Sequence, residues 1–421
     1  MKRALVLLFI AIFPICFCHA QSHIDIRGKV VDNKSSDAVP LASINLKGTY
    51  VTNVSNEEGF FTLKIPAGTS PDAVISISGP GYVNSEYPVS EFTELGADMY
   101  LRIPLLPFNL PLGSSVSNAV DPELLLLSAY SMVPENYASE PVGMTAFYRE
   151  TIKKGNSSHI ILNEAVLNIE KSSYTGNDPD RVSVHKGRGN ENIEKGESLF
   201  SRYQGGIAAA LSLDMVKNPF VGTTLQSAGV FYDFTIEGTV SIDGKTFYEV
   251  GFKPKEDADP FLFVGKVFIE EESLAIGRIE FSMDIEGKQE EAAGEFILKR
   301  SADTDFSIRK ADYLVNFKEF DGKWYFDYCK SDIAFTARKK HSLSKSRYSI
   351  SSEMVVTDHK EDGFHITNDQ KIRYRNFLSE GPDSFRNKGF WEDMNVIEPE
   401  LHIEKAIHGI VGQLQKQTAR E

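Results

Sequence analysis

The chain is short of cysteine, of positive charge and of long apolar runs. Three cysteines in 421 residues cannot form a disulfide scaffold. Lys and Arg total 45 against 59 Asp and Glu, a formal charge of -14, which argues against a general nucleic-acid surface or a broad polybasic membrane face. No apolar stretch reaches the roughly 20 residues a membrane-spanning helix needs. Familiar reaction centres are missing as well. None of the nine histidines sits in an HxxE or HExxH pattern, so a zinc carboxypeptidase fails at its first requirement. No Gly-x-Ser-x-Gly elbow supplies a serine nucleophile. His402 and His408 stand on different faces of any helix, and His359 and His365 flank a polar turn, so neither pair is expected to share a metal. The carboxylates are too numerous for spacing to single out a catalytic pair. No catalytic, metal or cofactor residue is assigned, and the sequence reads as that of a non-enzyme. The ligand-binding residues stay unknown at this level.

What is present is ordinary globular material, 41% hydrophobic and 25% charged, in a length that admits two or three domains. Residues 1–20 have the layout of a secretory signal peptide: Lys2 and Arg3, an apolar run from Ala4 to Phe13, Pro14, then Ala20 before a cleavage point. The mature chain is therefore expected in the periplasm or associated with the outer membrane, with no transmembrane helix after cleavage. Cys16 and Cys18 raise lipidation as an alternative, disfavoured because Ile15 and Phe17 stand where a small residue is wanted. Cleavage after Ala20 leaves Cys329 alone, and it reads as a strand residue, not a nucleophile.

Residues 21–103 show short β-rich runs spaced by turns, the spacing of a small sandwich. Val30-Val31, Ile44-Asn45-Leu46, Phe60 to Ile65 and Val74 to Ile77 supply strands. The polar cluster from Asn53 to Gly59 reads as a hairpin turn and not a calcium loop, because it lacks alternating oxygen ligands. Residues 104–143 follow as a linker rich in proline (Pro104, Pro107, Pro111) and then a helix. Asp121 is its N-cap, Pro122 its first residue, and Pro134 its stop. In residues 144–421 the dominant signal is period-two alternation. Ile279, Phe281, Met283 and Ile285 oppose Glu280, Ser282, Asp284 and Glu286, and Tyr248, Val250, Phe252 and Tyr313, Val315, Phe317 behave alike. Hairpins are expected at Asp243-Gly244, Glu286-Gly287 and Asp321-Gly322. The stretch from Gly238 to Thr246 imitates a phosphate loop, but it misses the spacing by one residue and lies between strands. A helix is expected over 206–217, and another over 399–415 from the spacing of Ile403, Ala406, Ile407, Ile410, Val411 and Leu414. That last helix argues against a transmembrane barrel.

Two features leave alternatives open. Arg338, Lys339, Lys340 and His341, with Lys345 and Arg347, form a basic cluster that is either a solvated hairpin tip or a contact for anionic headgroups or an acidic partner. Trp324, Phe326 and Tyr328 fall on one strand face with Tyr325 opposite, where they either pack a core or line a concavity for an acyl chain.

The pattern Ile26-x-Gly28-x-Val30-x-Asp32, Pro40-Leu41-Ala42-x-Ile44, Gly48-Thr49, Glu58-Gly59-x-Phe61 and Ser76-x-Ser78-x-x-Gly81-Tyr82 resembles the carboxypeptidase-like regulatory domain. That resemblance implies a transthyretin-like β-sandwich without catalytic residues, serving as a spacer or docking module. Farther on, Phe147-Tyr148-Arg149-Glu150, Asn163-Glu164-Ala165, Gly187-Arg188, Leu213-Asp214-x-Val216-Lys217-Asn218, Ser352-Glu353-Met354 and the run from Phe390 to Glu400 are similar to Bacteroidota envelope proteins that carry such a domain. This likeness implies a second, larger antiparallel sheet, a curved half-barrel of the lipoprotein-carrier kind with a few packed helices. It supplies no activity. Three roles follow as expectations: a non-catalytic envelope module that binds or docks an unknown envelope protein; a periplasmic carrier of a lipid or other hydrophobic ligand; or an accessory partner of an outer-membrane uptake system. No cofactor and no nucleic-acid partner are expected.

Overall fold

A computed structural model describes residues 23–96, 99–108, 121–155, 158–191, 206–219, 228–256, 262–296, 303–342, 344–360, 363–370, 382–387 and 389–418. The signal-peptide expectation, with Cys16 and Cys18, and most of the Pro-rich linker, including Pro111, lie outside the described residues.

The N-terminal module is a seven-stranded sandwich. One sheet has the order β4 (Phe60–Pro66), β1 (His23–Asp32), β7 (Leu101–Leu105), and the other β3 (Thr52–Val54), β2 (Ser43–Leu46), β5 (Val74–Ser78), β6 (Ser85–Pro88). Its core is aliphatic plus Phe61 and Phe92, with Ile26, Val30, Ile44 and Ile77 wholly buried. β7 runs parallel to β1 and carries Pro104 opposite Val31, a placement open to proline because β7 is an edge strand.

The larger unit is one open antiparallel sheet of ten strands. Three strands form one meander: β8 (Val142–Lys154), β9 (Ser158–Lys171) and β10 (Arg181–Glu191). Seven form the other: β11 (Tyr232–Ile242), β12 (Lys245–Pro254), β13 (Phe263–Glu270), β14 (Ile276–Met283), β15 (Thr304–Phe320), β16 (Lys323–Lys339) and β17 (Ser346–Lys360). The meanders join through β17 and β8, which pair from Tyr348 with Lys154 to Lys360 with Gly143. Two of the expected hairpins close as read, because Asp243 and Gly244 (φ 51° and 77°) and Asp321 and Gly322 (φ 49° and 73°) both take the left-handed conformation. Glu286-Gly287 instead leads into a helix, α6 (Gln289–Phe296), inserted between β14 and β15, while the short α1 (Val89–Thr93) belongs to the sandwich and α5 (Ala228–Phe231) precedes β11. Gly238 sits at a bulge in β11, so the phosphate-loop look-alike is strand and turn.

The two faces of the sheet carry different cargo. On one, α2 (Pro122–Ser131), α3 (Val133–Asn136) and α4 (Ile207–Ser212) pack on Tyr148, Leu167, Phe326 and Met354. Asp121 caps α2 by accepting from the Glu123 and Leu124 amides at 2.9 and 3.1 Å. Pro134 does not end that helix: Met132 does, and Pro134 opens α3, where a missing N–H costs nothing. α4 stops at Ser212, short of the expected Lys217, because the Asp214 carboxylate accepts from the Val216 and Lys217 amides and turns the chain. On the opposite face lie the sandwich and the C-terminal helix α7 (Leu401–Thr418), displaced from the expected 399–415.

The aromatic strand β16 breaks its own period. Asn316 pairs with Tyr328 and Phe317 with Phe326, leaving Asp327 as an extra residue in a bulge. Trp324 and Phe326 therefore face the helices, whereas Tyr328 turns to the sandwich side. The expectation of three aromatics on one face fails at that bulge.

Candidate functional site

The sandwich is not a loose spacer, because its Asn53 to Gly59 turn is built into the large sheet. Asn56 holds the turn by accepting from the Glu58 and Phe60 amides at 3.0 and 2.9 Å, and Gly59 takes φ 83° where a side chain would strike the Val30 carbonyl. The turn then reaches out. Asn53 donates to the Val396 carbonyl at 2.9 Å, Asn56 to that of Glu398 at 3.2 Å, and Glu58 accepts from the Leu401 amide at 3.2 Å, capping α7. Val54 enters a core with Phe147, Val166, Tyr328, Val355 and Ile397. At the other end of the contact Tyr50 stacks on His359 with ring centroids 4.5 Å apart and planes 8° apart, and Tyr325 meets the same ring edge-on. His359 is half-buried, its enclosed Nδ1 finds no partner among the described residues, and desolvation lowers its pKa to about 4. Nearby, Asp327 is buried with its pKa raised to about 6 by desolvation, opposed by Lys318.

Beneath the turn the quoted motif residues converge. Arg149, 4% exposed, donates from Nε to Glu164 at 2.9 Å, from Nη2 to the Ile397 carbonyl at 2.8 Å, and pairs with Glu353 at 3.3 Å. Arg188 donates to the second Glu164 oxygen at 2.8 Å and lies over the rings of Phe385, Phe390 and Trp391 at 4.6 to 5.3 Å. Burial would push the Glu164 carboxyl up, yet the two guanidiniums hold it below its ordinary value. Glu353, with weaker pairing, is pushed up by burial. A second buried group forms on the helix face. There Lys171, 1% exposed, lies 2.7 Å from Asp214 and 2.8 Å from Asp180, and the Tyr174 hydroxyl donates to Asp214 at 2.8 Å. Both groups are internally paired, an arrangement that fixes register and packing rather than one poised for proton transfer.

Above the Arg149 group opens a cleft of about 250 Å³. Glu57 of the sandwich, Glu400, His402 and Ile403 at the start of α7, and Lys153, Ser349, Lys330 and Asp332 from the strands form its walls. Lys330 is tied to Glu57 at 2.7 Å and to Asp332 at 3.5 Å, and Lys310 at the rim to Asp312 at 2.7 Å. A shallower groove of about 430 Å³ continues from Lys310, Lys330 and Asp332 across the wet face of β13 and β14. His402 pairs not with His408 but with His159 of β9, the rings near-parallel with centroids 5.5 Å apart, and burial brings the His159 pKa down to about 4.

Trp324 and Phe326 are packed against Phe247 and Phe317, with centroids 5.9 and 6.2 Å apart. Cys329 is buried, donates weakly to the Ala210 carbonyl at 3.4 Å, and has its thiol pKa pushed well up by burial. The basic cluster is an exposed tip between β16 and β17, where Arg338 pairs with Asp305 at 3.2 Å. His365 and His408 are exposed and stand apart from the paired histidines. Among the described residues no group of three or more His, Cys, Asp or Glu is arranged to hold a metal, and no helix is long and apolar enough to cross a membrane. The cleft has no mark in the sequence, since Lys153, His402, Lys330 and Glu57 come from four separate elements. Only the motif likeness had grouped Arg149, Glu164, Arg188, Glu353 and Glu400, and it gave them no role.

Residues 26–101 match the family model of a CarboxypepD_reg-like domain, in agreement with the resemblance carried by the glycine and aliphatic pattern. No curated protein matches the chain. Among solved structures, a domain described as an outer membrane lipoprotein-sorting protein from Vibrio parahaemolyticus is similar at 10% identity, over 58% of this chain and 95% of that one, with a TM-score of 0.25. A LolA superfamily protein from Nitrosomonas europaea matches at 11% over 58% and 97%, TM-score 0.22, and a DUF1329 family protein from Desulfovibrio piger at 11% over 56% and 94%, TM-score 0.24. Scores this low transfer neither a site nor a function.

Proposed function

We propose that the protein is a non-catalytic binding module of the cell envelope, exported by its N-terminal segment, whose ligand site is the polar cleft between the sandwich, the sheet and α7. The observation that carries this reading is the cleft itself. Three parts of the chain distant in sequence meet there around charged and hydroxyl-bearing side chains, and hydrogen bonds fix the sandwich to the segment entering α7 and, through Lys318, to β15 of the sheet. Preorganised walls of this kind favour binding. The non-enzymatic reading is supported by what surrounds two buried carboxylates and the thiol: Glu164 and Asp214 already have cationic partners, and the one described thiol is sealed in a core.

Carriage of a lipid in the large sheet is less well supported. The aromatic wall that would receive an acyl chain is covered by α2 to α4, so those helices would have to leave a packed core first. Delipidated protein offered a fluorescent fatty acid and a fluorescent phospholipid distinguishes the two. The cleft reading expects no saturable uptake, together with a rise in Tm from some polar small molecules in a screen. Stoichiometric fatty-acid uptake, unaffected by substitutions in the cleft, overturns it.

A further inference from the structure

We propose that the cleft takes a small hydroxylated acid, a sugar acid or sugar phosphate, with its anionic group seated on Lys153. The inference rests on the reading of the cleft as the ligand site and goes beyond it by naming the chemistry. Of the four cations lining the cleft, three are committed to the protein: Arg149 to Glu164, Lys330 to Glu57, and Lys310 to Asp312. Lys153, near the end of β8, is half-buried and makes no hydrogen bond or ion pair among the described residues. Glu57, Glu400 and Asp332 lie near enough to favour its charge, but none reaches ion-pair distance, and burial leaves its pKa below the ordinary lysine value. A partly dehydrated ammonium that no carboxylate contacts directly leaves its hydrogen-bond donors unfilled, and an incoming anion can fill them.

The surroundings narrow the class. Ser349 lies across the strand pair from Lys153 and Thr151 two residues before it on the same face, and neither hydroxyl has a hydrogen-bond partner among the described residues. Two free hydroxyls beside a free ammonium match a ligand that carries its own hydroxyls next to a charge. The flanking His159 and His402 are both lowered toward the neutral form, so at pH 7 they add no competing positive charge. A volume of about 250 Å³ suits a single sugar unit and is below the roughly 300 Å³ at which drug-sized pockets begin.

Isothermal titration of the full mature chain with glucuronate, glucose 6-phosphate, glucose and inorganic phosphate, at matched ionic strength, tests the assignment. Glucuronate or glucose 6-phosphate should bind, and the preferred one tells carboxylate from phosphate. Lys153→Gln should weaken that binding roughly ten- to hundredfold, the worth of one charge-assisted hydrogen bond. Lys339→Gln, on the exposed hairpin tip, should leave it unchanged. Because Lys153 has no protein partner, Lys153→Gln should keep the wild-type Tm, which separates lost contact from lost fold. Equal binding of glucose and glucuronate, equal binding of inorganic phosphate and the sugar phosphate, or no binding of any probe overturns the proposal. If the same screen finds cationic or neutral ligands whose binding a Ser349→Trp block abolishes, this chemistry falls while the cleft reading stands.

Discussion

Replacing Arg149 by Met should be among the most damaging single changes the protein can suffer, and its cost should depend on pH in a direction opposite to the wild type's. The guanidinium is 4% exposed and contacts Glu164 at 2.9 Å, Glu353 at 3.3 Å and the Ile397 carbonyl at 2.8 Å. Methionine fills similar volume, so the loss is electrostatic and not a cavity. Removing one member of a buried charged group leaves its partners uncompensated, at a cost on the order of 3–5 kcal/mol, a large share of a domain's roughly 5–15 kcal/mol. In the wild type the Glu164 pKa is depressed, so the folded state binds fewer protons there than the unfolded chain. That contribution is present above the unfolded carboxyl value and lost as pH falls through the folded one. In Arg149→Met the Glu353 carboxyl, already raised by burial, rises further, so the folded state binds more protons and the penalty shrinks as pH drops from 8 toward 5. Urea titrations at both pH values, followed by tryptophan fluorescence, read this out. Trp391 lies over Arg188 and reports on the network, whereas Trp324 lies in the helix-face core, and a Trp324→Phe background isolates the former. A loss below about 1 kcal/mol, the size of an exposed pair, or a loss equal at both pH values, would refute the reasoning.

Asp327→Asn should stabilise the protein at pH 8 and not at pH 4. The folded pKa of about 6 lies above the unfolded value near 4, so the buried charge costs stability only as pH rises through that window, by at most about 3 kcal/mol; thermal melts at the two pH values check this. His359 and His159, each lowered to about 4, bind fewer protons folded than unfolded between about 4 and 6.5, so both should favour the folded state above that range and weaken it on acidification. His359→Phe should flatten the acid limb of the stability profile; an unchanged limb excludes His359 as its source. Cys329 should react with a thiol reagent only at the rate of unfolding, and rapid labelling of native protein would contradict its burial. Tyr50→Ala removes the ring stacked on His359 and should accelerate limited proteolysis between the sandwich and the sheet, read by mass spectrometry, with no acceleration counting against the stack as a clamp.

Much of the architecture was legible because it depends on local chemistry. Alternation in β12, β14 and β15 follows from one dry face and one wet one, and the left-handed Asp-Gly pairs announce two of the hairpins. What escaped were interruptions set by distant contacts. The bulge at Asp327, which turns Tyr328 away from Phe326, has no mark in the residues around it. The early stop of α4 is made by Asp214 accepting from the Val216 and Lys217 amides, while its other oxygen pairs at 2.7 Å with Lys171, far away in sequence. The cleft escaped for the same reason: Lys153 and Glu57 look like any solvated pair of charges until the sandwich folds down on β16.

The pairing of β17 with β8 has a consequence for how the chain comes into being. The sheet's last strand in sequence is inserted near its middle, beside the first strand of that sheet, so the two meanders cannot join until most of the polypeptide has emerged. Contacts of such long sequence separation form slowly. A chain truncated before Ser346 would present β8 and β16 as bare edges, and such edges invite aggregation. The delay makes an intact β17 a condition for the two meanders to join into one sheet.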